Sequence, residues 1–189
     1  MNIYAIAEII AFFGVLLALV KPLGWYMARV YRGESCGLDR VLSPVERLFY
    51  RLCGVRSEEE MSWRQYATAM LLFNLLGLLA VYGLQRLQGS LPLNPQQLGN
   101  VPPDLAFNTA ISFASNTNWQ AYSGESMMSN LTQMLGLSVQ NFLSAATGMA
   151  VLVALIRGLT RKSAETIGNF WVDMTRSTLY VLMPMSFLL

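Results

Sequence analysis

Residues 114–125, ASNTNWQAYSGE, gather most of the groups in this chain that could coordinate a ligand. Ser115, Asn116, Thr117, Asn118 and Gln120 supply hydroxyl and amide oxygens, and no charge appears before Glu125. Neutral oxygens of this kind, together with backbone carbonyls, can replace the hydration shell of a monovalent cation. A divalent ion would call for carboxylates instead. The chemistry implied is cation coordination, and the residue types alone leave K⁺ against Na⁺ open.

The rest of the chain offers little competing chemistry. There is no His, and Cys36 and Cys53 lack the spacing of a zinc or redox motif, so both are read as reduced thiols and no metal beyond a transported cation is expected. No GxxxxGK loop and no Asp-Lys-Thr-Gly run occurs, which places any ATP hydrolysis in a partner and leaves this chain without a catalytic residue or a cofactor. A net charge of +2, without a compact basic run, argues against nucleic acid.

The elements that must hold the polar stretch are apolar helices. With 54% hydrophobic and 13% charged residues, the composition is that of a protein embedded in the lipid bilayer. Spans are expected over 3–20, 67–84 and 139–156, and 178–189 reads as the beginning of a further one. The first span opens with Asn2 and Glu8 instead of Lys or Arg and lacks a small-residue cleavage site, so it reads as a retained helix, with Glu8 close enough to its start to reach the interface. Segment 21–66 holds eight basic residues and 157–177 holds four, against Arg86 alone in 85–138. Basic residues stay on the cytoplasmic side. This sets the N-terminus and the polar stretch outside.

Within 85–138, Pro102 and Pro103 break the chain, Asp104 suits an N-cap, and 105–115 reads as a mainly apolar helix. Twelve residues from Asp104 give about 18 Å, too short to cross a core of about 30 Å. A half-length helix followed by uncharged polar chain is the pattern of a re-entrant loop, whose irregular backbone survives at membrane depth only when it lines a cavity. Spacing alone leaves a second reading open, an ordinary polar outer loop with an amphipathic helix. On the basic side, SPVERLFYRLCG predicts a helix with Ser43 as cap, Pro44 first, Glu46 completing a capping box and Gly54 as the stop; Val45, Leu48, Phe49 and Leu52 share one face, suited to the membrane surface or a partner. RSEEEMSWRQ reads as a solvated turn without chemistry.

The segments LPLNPQQL, SNTNWQAYSGE, VQNFLSAATG and GNFWVD, in this order, resemble the potassium-binding A subunit of the bacterial Kdp potassium-transporting ATPase over essentially the whole chain. The resemblance implies an all-α membrane protein of the bacterial inner (cytoplasmic) membrane: an extra N-terminal transmembrane helix followed by membrane-pore-membrane repeats, each giving one wall of a K⁺ selectivity filter. It divides this chain into the extra helix (1–27), a cytoplasmic loop with an amphipathic helix (28–66), the first repeat (67–157), and a further loop with the start of the second repeat's first helix (158–189). It assigns Asn116, Thr117, Asn118, Trp119 and Gln120 to the filter, and Asp104, Ser115, Tyr122, Ser123, Gly124 and Asn141 to its support. Trp119 is expected to pack behind the loop, and Asn141 to hydrogen-bond it. The implied function is to take K⁺ from outside and deliver it to a P-type ATPase B subunit, which uses ATP and Mg²⁺, with small C and F subunits completing the complex.

The family's chain has four repeats and about three times this length, so the sequence reads as a fragment. A homotetrameric cation channel of single repeats and a small non-conducting membrane subunit are the alternatives.

Overall fold

The computed structural model describes residues 3–161 and 165–188, and every regular element among them is helical. Three stretches are long and apolar enough to cross a membrane, Tyr4–Arg32, Trp63–Ser90 and Thr132–Thr160. Helix α1 is Ile3–Arg32, 30 residues in length. It runs well past the expected end at residue 20, through Pro22, because a transmembrane helix tolerates a proline more readily than a soluble one. Its large apolar side chains stand exposed from Tyr4 to Trp25, as lipid-facing residues do.

Helix α2, Asp39–Cys53, lies beyond a short turn and stops at Gly54, whose left-handed conformation (φ 64°) closes the last turn. Its start departs from expectation. The helix begins four residues before Ser43, so Ser43 and Pro44 lie inside it and Glu46 is no capping residue. The turn before it is organised by Asp39, whose carboxylate accepts from Ser35 Oγ (2.9 Å), Cys36 N (2.9 Å) and Gly37 N (3.1 Å).

Helix α3, Trp63–Leu87, opens with a true capping box of Ser62 and Gln65 and closes in a 3₁₀ turn, Gln88–Ser90. The half-length helix is α4, Pro103–Ala114, of 12 residues. Its N-cap position is Pro102, and Asp104 is the second helical residue with no capping bond, so the predicted Asp104 cap is corrected: Pro at the first position already removes one orphan amide. A single turn, α5 (Gly124–Met127), follows the polar stretch. The last long helix begins as wider π-helical turns over Thr132–Ser138 and continues as α6, Val139–Thr160, seven residues earlier than the pattern suggested. Beyond it, α7 (Phe170–Arg176), π-helical turns (Ser177–Leu182) and α8 (Met183–Leu188) run on continuously.

Packing is divided between the two ends. Near one end, α4 nests against α3 and the start of α6 through Val81, Phe113, Met128 and Leu137, with Ala106 and Ala110 fully buried where backbones approach closely. Near the other, Tyr66, Phe73, Phe170 and Trp171 form edge-to-face aromatic pairs around Ala150 and Ala154. A third cluster joins Val30 of α1 to Leu179 and Tyr180.

Candidate functional site

The polar stretch leaves the C-terminal end of α4 in an unusual backbone. Asn116 (φ 56°) and Asn118 (φ 55°) are both left-handed, with Thr117 between them. Asn is among the few non-glycine residues that adopt this region readily, which is a local reason for two Asn at alternate positions. The amides of Thr117 and Asn118 both donate to the Ser112 carbonyl, at 2.9 and 3.1 Å. Ser112 Oγ in turn donates to the Trp119 carbonyl at 2.8 Å. One buried serine of α4 thus grips both ends of the strand, using its carbonyl for the amides and its hydroxyl for the far carbonyl. The carbonyls of Asn116, Thr117 and Asn118 accept no hydrogen bond among the described residues.

Side chains add a second layer of support. Ser115 Oγ and Thr117 Oγ1 lie 2.8 Å apart, Asn118 Nδ2 donates to Asn116 Oδ1 at 3.2 Å, and Ser144 Oγ of α6 reaches the same oxygen at 3.3 Å. The contact from α6 to the loop is therefore made by Ser144 and not by Asn141, which is exposed and offers its backbone carbonyl to Ser144. Trp119 is 59% exposed, so it does not pack behind the loop within this chain, and Gln120 is exposed beside it. Tyr122 packs on the α3–α4 cluster, while Ser123 bonds Glu125 at 2.6 Å and the Gly124 carbonyl accepts from Gln133 at 3.1 Å. Asn116, Ser115 and Ser144 line one side of an open recess of about 610 Å³ between α3, α4 and α6, whose other walls include Asn74, Thr147 and Leu75.

Two glutamines at the end of α3 hold this arrangement from behind. Gln85 is fully buried, and its Nε2 donates to the carbonyls of Val81 (3.1 Å) and Ala106 (3.2 Å), tying α4 to α3. Gln88, also fully buried, donates to the carbonyls of Gly99 (2.7 Å) and Met127 (2.8 Å). Its Oε1 accepts from Ser129 N (3.1 Å) and Thr132 Oγ1 (3.2 Å). A single amide therefore fastens the linker before α4, the turn after the polar stretch and the start of the last span. The sequence signal for both is two Gln three residues apart at the end of an apolar helix.

The opposite end is held by charge. Asp173, 1% exposed, receives both Arg157 nitrogens (2.5 and 2.9 Å) and the Tyr66 hydroxyl (3.1 Å). Glu46 accepts from Arg176 (2.9 Å), Tyr50 (2.8 Å) and Tyr180 (2.7 Å). Burial pushes the Glu46 carboxyl up, but the bonds from Arg176, Tyr180 and Tyr50 outweigh it and leave the group below the usual range. Glu60 sits in the segment expected to be a solvated turn, yet Arg161 grips it with two bonds of 2.8 Å and Thr166 adds a third, which hold its carboxyl at about 2. Beside it the two loops of this end pair through backbone, Met61 N to Gly168 O (2.7 Å) and Ile167 N to Met61 O (3.0 Å).

Residues 10–189 match the family model described as the potassium-transporting ATPase A subunit. A potassium-transporting ATPase potassium-binding subunit of Sorangium cellulosum is 67% identical over 178 residues, 94% of this chain and 31% of its own length. The protein of the same name from Methylococcus capsulatus is 65% identical over 189 residues, all of this chain and 32% of the relative. That from Chromobacterium violaceum is 61% identical over 186 residues, 98% of this chain and 31% of the relative. The chain thus spans about a third of the length of the curated relatives it matches.

Proposed function

We propose, for a chain that belongs to the potassium-transporting ATPase A-subunit family, that residues 116–120 form one wall of a K⁺ selectivity filter. The observation that carries this reading is the backbone after α4. Left-handed residues alternate at Asn116 and Asn118, the amides of Thr117 and Asn118 are spent on Ser112, and three successive carbonyls have no donor among the described residues. Neutral oxygens so prepared can substitute for hydration water around a monovalent cation without holding it too tightly to leave. The C-terminal end of the α4 dipole adds a favourable potential there, worth a fraction of a kcal/mol to about 2 kcal/mol when desolvated.

Within this reading the Thr117 hydroxyl, linked to Ser115, fixes the lower part of the strand, and the Gln120 amide stands at its outer end. Ser112, Ser144, Gln85 and Gln88 hold the geometry without touching the ion. The other walls come from further pore repeats, and a separate catalytic subunit binds ATP and Mg²⁺, hydrolyses the ATP and receives the K⁺. The chain lies in the bacterial inner membrane with its N-terminus outside; the crowding of Arg29, Arg32, Arg40, Arg47, Arg51, Arg157 and Arg161 at the end opposite the polar stretch supports that orientation.

Replacing Gln120 by Ala in the complete transport assembly is expected to raise the K⁺ concentration that activates ATP hydrolysis, or to let Na⁺ activate it. Activation by K⁺ that is unchanged in both respects would remove Gln120 from the filter.

A further inference from the structure

Helix α2 carries a face that none of its contacts with the described residues uses. Val41, Val45, Leu48 and Leu52 recur at helical spacing and are 72%, 39%, 53% and 76% exposed. Along one flank of that stripe, Arg40, Arg47 and Arg51 stand exposed at the same spacing, and none is ion-paired among the described residues. The opposite face is committed, because Glu46 and Tyr50 are buried there against Arg176 and Tyr180. A helix on a soluble core turns its apolar side inward. This one is pinned with its apolar side out.

The level at which α2 is pinned decides what meets that side. The Tyr4–Arg32 stretch has 29 residues, or about 43 Å of helix against a hydrocarbon core of about 30 Å, so its last turns emerge among the headgroups. Those turns carry Trp25, with the Arg29 guanidinium 4.6 Å above its ring, a pairing suited to the interface. Leu42 of α2 packs into the cluster built on Val30 of those same turns. The stripe therefore stands at headgroup depth beside a lipid-facing helix.

We propose that α2 is an interfacial helix that selects anionic lipid at the basic end of the molecule. The apolar stripe enters the boundary of the acyl chains, and Arg40, Arg47 and Arg51 meet lipid phosphates. Charge complementarity favours this occupant, since the flank presents three guanidinium groups without an ion pair among the described residues, and the one carboxylate at the helix start, Asp39, is folded onto Ser35, Cys36 and Gly37. The inference needs α1 to span the membrane but does not depend on the ion path.

The test places a nitroxide at position 48 (Leu48→Cys, with Cys36→Ser and Cys53→Ser) in the full chain, reconstituted into phosphatidylcholine vesicles with and without phosphatidylglycerol. Accessibility to oxygen and to a water-soluble nickel chelate is then read. With phosphatidylglycerol the label is expected to be reached by oxygen and shielded from nickel. That shielded population should fall in phosphatidylcholine alone and in the Arg40→Gln, Arg47→Gln, Arg51→Gln variant, three charges at an anionic surface being worth on the order of a hundredfold in occupancy. The corresponding triple Lys variant should retain it. A label open to nickel in every lipid overturns the proposal, as does one shielded from both reagents, which would mean that protein covers the face. Shielding that ignores both lipid charge and the arginines overturns the anionic selectivity. If the Gln variant misfolds, comparison of the two lipids with the arginines intact still decides.

Discussion

The two ends of this molecule are fastened by different physics. At one end the backbone of residues 116–119 is held by uncharged groups: Ser112 grips its amides and far carbonyl, Ser144 reaches Asn116, and Gln88 ties the segments on either side. At the other, Arg157–Asp173, Arg176–Glu46 and Arg161–Glu60 carry the load. The difference is instructive. A fixed charge beside an ion path binds a cation strongly or repels it, so neutral donors and acceptors suit the filter role proposed above for this loop. At the other end the largely buried pairs Arg157–Asp173 and Arg176–Glu46 fix the register of α2, α6 and α7 by their directed geometry.

The contrast can be broken most severely from the charged end. Asp173→Ala leaves Arg157 without its partner in a nearly buried site and is expected to cost about 3–5 kcal/mol. Thermal unfolding in lipid should show the loss. A melting temperature within error of the parent would show that the charged end is not held as described. Gln88→Leu strands several buried polar groups at the other end and is expected to cost about 2–3 kcal/mol. Limited proteolysis should then cut within 91–131 while 54–62 stays protected; equal exposure of both would mean the ends are not independent.

A smaller effect separates backbone from side chain. Asn116→Ala places a poorly suited residue at φ 56° and should cost roughly 1–2 kcal/mol, whereas Asn116→Gly relieves that strain and loses only the bonds to Asn118 and Ser144. Equal losses in the two variants would assign Asn116 a side-chain role alone. The smallest expected effect is a response to acid. The Glu60 carboxyl is depressed to about 2 from an ordinary 4.5, so its contribution is fully present above pH 4.5 and is lost as pH falls through about 2. Hydrogen exchange at the Met61 and Ile167 amides, corrected for intrinsic rates, should quicken across that window, and Glu60→Gln should erase the pH dependence. A flat profile in the unaltered chain would place the strength of this latch in its backbone pairing.

Much of the architecture is legible in the order of residues because it rests on local signals. Pro102 and Pro103 at the head of a twelve-residue helix announce an element too short to cross, and uncharged polarity after an apolar helix marks the stretch at Ser115. What escaped depends on partners far away in the chain. Ser43-Pro44-Val45-Glu46 satisfies a local capping pattern, yet Glu46 is claimed by Arg176, 130 residues later, and the helix starts at Asp39. The apolar run is read as a span over 3–20, but α1 continues through Pro22 to Arg32. Glu60 reads as solvated because Arg161 and Thr166 lie about a hundred residues away. Gln85 and Gln88 stand out as amides at the end of an apolar helix, but the four partners of Gln88 come from three different segments that no local pattern links.

The central claim is that the carbonyls of Asn116, Thr117 and Asn118 face a K⁺ ion in the assembled transporter. Anomalous scattering from Rb⁺ or Tl⁺ soaked into crystals of the complete assembly tests it directly. An ion peak is expected within coordination distance of these carbonyls, and that peak should weaken in Gln120→Ala. A well-defined ion site formed by other segments, with no peak beside residues 116–118, would contradict it.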